Sequence, residues 1–241
     1  MRGTDVVDRA TALRCRLAAV ILLALLPALV QCSPSVPPHA ATPTTPPPSS
    51  SAGATPATAV AEPVTAADLG ASWHPGCPVE PAQLRRIQLE YKGFDGQTHR
   101  GELVVNIDRV PHVIEIFARL YRLGYPIEQM QTVDHYPGAD DELSMEDNNS
   151  SAFNCRVIPG TDRWAQHAYG RAVDLNPRLN PCLYSGGTFE PRNAATFLDR
   201  RRTDAGILHP GDPAVRTFTD QGWRWGGDWT TPVDYQHFER P

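Results

Sequence analysis

The sequence predicts an α+β fold, a small domain built on an antiparallel sheet. Three observations lead there. A stretch before Asp95-Gly96 alternates apolar and polar residues, and a second strand-like stretch follows that turn. A run after them carries apolar residues at helical spacing. Strand-like and helix-like segments then segregate, without the regular βαβ alternation of a parallel sheet. In chain order, "RIQLEYKGF" puts Ile87, Leu89 and Tyr91 on one side of a strand. Asp95-Gly96 supplies a turn and "RGELVVN" the returning strand, which makes a hairpin. Asp108 reads as a helix N-cap, with Pro111 in the first turn. Val113, Ile114, Phe117, Leu120 and Tyr121 give that helix its apolar face, and Gly124 ends it. "PIEQMQTV" reads as a strand, "DHYPGADDELSMEDNNSS" as an acid- and amide-rich loop, and "AFNCRVI" as a short strand. Asp212 and Pro213 open a second helix that Gly222 closes. "GWRWGGDW" and "DYQHFE" read as loop and strand.

This domain is only part of the chain. Residues 1–16 carry Arg2, Arg9, Arg14 and Arg16 against Asp5 and Asp8, and "LAAVILLALLPALV" follows at 17–30. An apolar run of that length is too short for an ordinary membrane span and fits a signal-peptide core. Cys32 stands directly after it in "ALVQC". Leu29 fits a bacterial lipoprotein cleavage site, whereas Gln31 departs from the small residue such sites prefer. Residues 1–32 therefore read as a signal peptide with a lipobox-like Cys32, ordinary cleavage nearby being the alternative. The protein is expected outside the cytoplasm, lipid-anchored to the outer face of the cytoplasmic membrane or secreted to the cell wall. Residues 33–68 are almost all Pro, Ala, Thr, Ser and Val, with Glu62 as the one charged residue up to Ala67. Such a stretch has too little to bury to offset the entropy of ordering, and its prolines keep it extended. It reads as a disordered spacer. Residues 69–241 form one domain by size.

The chain has a net charge of −5. Its first 31 residues hold four arginines against two aspartates, so the rest carries −7. An acidic surface argues against nucleic acid as a partner. The domain is expected to be a monomer. Cys77, Cys155 and Cys182 lie within it. Outside the cytoplasm two of the three can pair. Three pairings are open, of which Cys77–Cys155 is favoured because it would tie "HPGCP" to the core. No CxxC spacing supports a zinc–thiolate site.

The chemistry gathers in "HAYGRAVDLNP" at 167–177. If "RAVDLNP" is a strand, Val173 and Leu175 face a core and Asp174 faces the other side. Gly170 permits the bend that returns His167 over that face. An imidazole and a carboxylate so placed can share a small ion. Of the remaining histidines, His237 sits in an aromatic-rich terminal segment three residues after Asp234. Two histidines and one carboxylate, with a fourth position open to water, make a catalytic zinc set. Taken alone, the spacing also fits a hydrogen-bonded Asp–His network. "ADDELSMED" lacks the EF-hand spacing and reads as a solvated loop near the cleft. Trp223, Trp225 and Trp229 read as core or cleft wall.

"SAFNCR", "HAYGRAVDLNP", "GWRWGGDW" and "DYQHF" stand in this order. Together they resemble the zinc peptidases of the D-alanyl-D-alanine carboxypeptidase family, nearest to its L-alanyl-D-glutamate endopeptidase branch, where the last motif begins with Asp. The resemblance covers roughly residues 100–238. It implies a central antiparallel sheet with zinc on its face and helices packed on the other side. It implies His167, Asp174 and His237 as ligands of one zinc, Asp234 as catalytic carboxylate, and Arg156 beside the substrate carbonyl. Asp234 would take a proton from the attacking water and return it to the leaving amine. Two alternatives stay open: Asp234 as a partner that orients His237, and Arg156 as an ion pair with the acidic loop. Ala165 stands where the family often has serine. Peptidoglycan stem peptides are the implied substrate. A catalytically silent, zinc-stabilised domain that binds wall peptides is the alternative function.

Overall fold

The computed structural model describes residues 59–241. The signal segment, Cys32 and most of the expected spacer lie outside the described residues. One boundary moves. Strand β1 (Val60–Pro63) lies inside the stretch read as spacer and pairs antiparallel with β2 (Leu84–Lys92), Val60 opposite Gln88. Among the described residues, regular structure thus starts at Val60, before residue 69. All four β1 residues are exposed. The strand is held by its backbone ladder to an open sheet edge, a bond that composition does not reveal. Helix α1 (Ala66–Leu69) follows, closed by reciprocal bonds between Thr65 and Asp68, and buries Leu69.

The hairpin forms as its alternation predicts. β2 pairs with β3 (Thr98–Asn106) from Leu84↔Asn106 to Lys92↔Thr98 and buries Ile87, Leu89 and Tyr91. Helix α2 (Val110–Leu123) lays Val113, Ile116, Phe117 and Leu120 into the same core, and Gly124 caps it in the left-handed conformation at φ 67°. Asp108 is not its N-cap. That position is Arg109, with no side-chain cap, and the Asp108 carboxylate instead receives Arg171 Nη2 at 2.7 Å. A charge-assisted bond to a guanidinium outcompetes the cap.

The remaining elements are short: β4 (Gln129–Met130), α3 (Asp141–Glu146), β5 (Asn149–Ser150), β6 (Ala172–Asp174), β7 (Cys182–Leu183), β8 (Phe189–Glu190), α4 (Pro213–Thr219), β9 (Arg224–Trp225), β10 (Val233–Asp234) and β11 (His237–Glu239). The structure is mixed α and β with antiparallel pairing, as expected, but no single central sheet organises it. Three three-stranded antiparallel sheets form, β1-β2-β3, β6-β11-β9 and β10-β7-β8, beside the parallel pair β4-β5. Within "AFNCRVI" there is no strand beyond an isolated bridge from Val157 to Trp164; Asn149 and Ser150, just upstream, form the paired strand. Helix α3 rises inside the expected acidic loop, capped by Asp140, whose Oδ1 accepts from the Leu143 amide at 3.0 Å. Helix α4 ends at Thr219 with Asp220 as its C-cap, two residues before Gly222.

The sheet β6-β11-β9 has two unlike faces. Val173, Phe238 and Trp225 turn into the core, where Phe238 stacks on Phe218 of α4 with ring centroids 3.9 Å apart. By strand alternation Asp174, His237 and Glu239 turn the other way. Cys77 and Cys155 are joined by a disulfide with Cα atoms 5.9 Å apart, and Cys182 is free and buried. The bridge borders a second apolar cluster of Val64, Leu69, Val79, Val104 and Phe153. Among the described residues no helix is long and apolar enough to cross a membrane.

Candidate metal centre

His167 sits in a single 3-10 turn, Gln166–Tyr169, which Gly170 ends at φ 65°. Two constraints require glycine there. The left-handed backbone disfavours a side chain, and a Cβ would meet the Asn106 backbone nitrogen at 2.6 Å. The Asn106 amide donates to the Gly170 carbonyl at 2.8 Å, so the turn is docked on the end of β3. That docking holds His167 over β6. Asp174 ends β6, and His237 begins β11 directly opposite it in register.

The three side chains converge. His167 Nε2 lies 3.1 Å from Asp174 Oδ2, His237 Nδ1 lies 3.0 Å from Asp174 Oδ1, and the two inner ring nitrogens are 3.1 Å apart. All three residues are buried. The outer nitrogens have fixed acceptors. His167 Nδ1 faces the Ala152 carbonyl, and His237 Nε2 lies 3.3 Å from Glu239 Oε2. Carbonyl and carboxylate oxygens only accept, so both outer nitrogens carry protons, and a ring that holds no second proton turns its other lone pair inward. Two lone pairs and a carboxylate pointing at one another need a cation between them. A tetrahedral zinc with bonds near 2.0–2.1 Å spaces its ligand atoms about 3.3 Å apart, close to these separations. The donor set therefore fits zinc.

The electrostatics carry the same demand. Burial alone would raise the Asp174 carboxyl, but His167 and His237 beside it hold it well below the carboxylate range. Burial would lower His237, yet its bonds to Asp174 and Glu239 push it up to about 10. With no metal, a proton on His237 supplies the positive charge the carboxylates require.

Asp234 lies on β10, which pairs with β7 so that Asp234 faces Cys182 across the ladder. Its Oδ1 is out of solvent contact and has no hydrogen-bond partner. Burial, the largest influence, pushes its carboxyl up to about 6, with Asp174 adding to the rise and His237 opposing it. Arg156 pairs with Asp141 of α3 at 2.7 Å, which is the ion pair that the sequence left open. Arg156 nevertheless borders the same cavity as the three converging residues and Asp234. That cavity has a volume of about 550 Å³, with Trp164, Trp229 and Tyr184 among its walls. The Trp229 ring centroid is 5.3 Å from that of His237, while Trp223 and Trp225 are buried core residues. A second trio, His74, Cys77 and Cys155, also converges, but both thiols are spent in the disulfide.

Sequence reasoning brought together the residues that the structure brings together, and missed three neighbours. Glu239 follows His237 by two residues on a strand, a spacing that puts both on one face and could have revealed it. Cys182 and Gln236 carried no local signal. Gln236 is buried beside the cavity, its Oε1 has no partner, and its Nε2 meets only Met145 Sδ at 3.4 Å.

Residues 159–240 match the family described as D-alanyl-D-alanine carboxypeptidase. This is the family whose motifs the sequence resembles. The match spans about a third of the 241 residues. It takes in His167, Asp174, Asp234 and His237, and it leaves out Arg156. No curated protein and no solved structure matches the chain.

Proposed function

We propose that this protein is a zinc-dependent peptidase that hydrolyses peptide bonds of peptidoglycan stem peptides, of the D-Ala-D-Ala carboxypeptidase or L-Ala-D-Glu endopeptidase type. The observation that carries the reading is the convergence of two inward imidazole nitrogens and one carboxylate beside a second carboxylate whose Oδ1 has no partner. The family match over the same residues supports it. His167, Asp174 and His237 would hold the metal. Zinc, when bound there, supplies Lewis-acid polarisation and brings the acidity of a water toward neutral pH.

The chain's own residues do the rest. Asp234 accepts the proton of the attacking water at its free Oδ1 and later gives it to the leaving amine. A carboxyl pushed up to about 6 suits both directions of transfer. Burial alone would lower the Arg156 guanidinium, but Asp141, Asp174 and Asp234 keep it charged. It stands ready to hold the carbonyl oxygen as negative charge develops there. The buried floor of the cavity, where His167, Asp174 and His237 lie, shields these interactions in part from bulk water and so strengthens them.

The test is hydrolysis of purified muropeptides by the zinc-loaded protein, with and without chelator, alongside His237→Ala. Cleavage that chelator abolishes and zinc restores is expected. His237→Ala should fail to retain one zinc per chain after mild dialysis. A variant that keeps full zinc occupancy would remove His237 from the ligand set, and binding without cleavage would leave the silent wall-peptide binder. We propose further that Cys32 carries lipid and tethers the exported domain to the membrane. Membrane fractionation of Cys32→Ser should then show release; retention equal to the parent would refute the anchor.

A further inference from the structure

We infer that Glu239 is a positioning residue for His237, holding its ring so that Nδ1 faces the metal centre. This rests on the metal-centre reading above. Residues i and i+2 of a strand share a face, and β11 puts Glu239 beside His237 with Oε2 at 3.3 Å from Nε2. The other oxygen, Oε1, is paired with Arg224 Nη2, and Arg224 stands directly opposite Glu239 in the β9–β11 ladder. A chain of ring, carboxylate and guanidinium therefore runs outward from the centre along one sheet face. His167 has a backbone carbonyl in the corresponding place. A carbonyl is fixed by the fold, whereas a carboxylate side chain must itself be held, and Arg224 does that.

Exposure decides how much each link contributes. The Glu239 side chain is 12% exposed and that of Arg224 is 61% exposed. The shielded imidazole–carboxylate bond keeps its strength, while the outer ion pair is screened by water and ions. Losing Glu239 leaves the His237 ring held only from its inner side, by Asp174, and removes the partner that makes it a stronger donor to metal. Losing Arg224 loosens Glu239 without removing it.

The experiment compares the whole chain with Glu239→Leu, Glu239→Gln and Arg224→Ala, with Glu239→Ala as second truncation if leucine disturbs the fold. Three readouts are taken: zinc affinity by competition with a chromophoric chelator, the thermal midpoint of the metal-free protein, and the ¹⁵N shifts of His237 in the zinc-loaded protein. Glu239→Leu should weaken zinc by about 10–100-fold, the usual cost of losing such a partner. Glu239→Gln keeps an acceptor oxygen and should recover most of that loss. Arg224→Ala should cost less than about threefold, as a screened surface pair does. The His237 Nε2–H resonance should broaden or shift in the truncated proteins and persist in Glu239→Gln. Zinc affinity of the truncated variants equal to that of the parent overturns the inference, as does a loss confined to the metal-free thermal midpoint. A parent chain that binds no stoichiometric zinc would instead bring down the metal-centre reading and this inference with it.

Discussion

Asp234→Asn separates a proton acceptor from a mere orienting group. The substitution keeps size and most hydrogen-bonding capacity while removing basicity. Its effect on stability follows from the burial of the side chain. Burial pushes the carboxyl from the ordinary value of 3.8 up to about 6, so the folded state disfavours its charged form. At about 1.4 kcal/mol per tenfold, keeping it ionised costs the metal-free fold on the order of 3 kcal/mol as an upper bound. Because the folded value lies above the unfolded one, that cost is fully present above about pH 6. It disappears as pH falls below the unfolded value, where both states bind the proton. Metal-free Asp234→Asn should therefore be more stable than the parent at pH 7.5 and no more stable near pH 3.5. Denaturant unfolding at the two pH values measures this. Turnover moves the opposite way: zinc-loaded Asp234→Asn should lose about 10²–10⁴-fold in kcat, the usual contribution of a positioned acid–base group. If Asp234 only orients His237, the loss should appear as about 10–100-fold in zinc affinity, with turnover restored at saturating zinc. Unchanged kcat at full zinc occupancy would refute the catalytic reading, and an unchanged pH dependence of stability would refute the burial argument beneath it.

Two further perturbations test the scaffold under the site. Gly170→Ala should lower the unfolding free energy by at least about 1–2 kcal/mol from the left-handed backbone alone. The contact with the Asn106 backbone adds to that, and zinc affinity should fall as His167 shifts; an unchanged denaturant midpoint would show that the turn is not the constraint. Replacing both Cys77 and Cys155 by alanine opens a cross-link between residues 78 apart, which chain entropy values at about 4 kcal/mol. The thermal midpoint should fall accordingly while the folded variant still binds zinc, and loss of zinc binding at full folding would show that the bridge shapes the site directly.

The parts of this fold that were legible in the sequence are those long enough to have a period. The nine-residue β2 shows alternation and the 14-residue α2 shows a helical stripe, and each forms where its pattern puts it, with β3 returning beside β2 after the Asp95-Gly96 turn. Two-residue strands such as β4, β5 and β7 have no period to detect, and they exist because distant segments happen to lie alongside. Asp108 shows the same limit at one residue, since its partner Arg171 is 63 positions away. Composition concealed β1 for a different reason. It has no buried side chains and depends on a backbone edge. The convergence of His167, Asp174 and His237 was legible from four motifs in order more than from any one of them, since the spacing of His167 and Asp174 alone also fits a hydrogen-bonded network. The ion pair of Arg156 with Asp141 joins segments 15 residues apart, so the sequence could hold two roles for Arg156 open and choose neither.

The two halves of that site are linked by register more than by proximity in sequence. Asp174 and His237 are 63 residues apart, yet they are directly opposed because Val173 pairs with Phe238 next to them. A slip of one residue on β11 would turn Phe238 toward the carboxylates and His237 into the core, since side chains alternate faces along a strand. What forbids the slip is on the apolar side: Phe238 stacked on Phe218 and in contact range of Trp225, with Val173 fully buried below. Burying an aromatic ring of that size is worth about 1.5–3 kcal/mol, enough to favour one register over its neighbours by roughly tenfold or more. Phe238 of "DYQHFE" thus serves the metal centre from the opposite face. It fixes which face of β11 carries His237, and Glu239 shares that face with it.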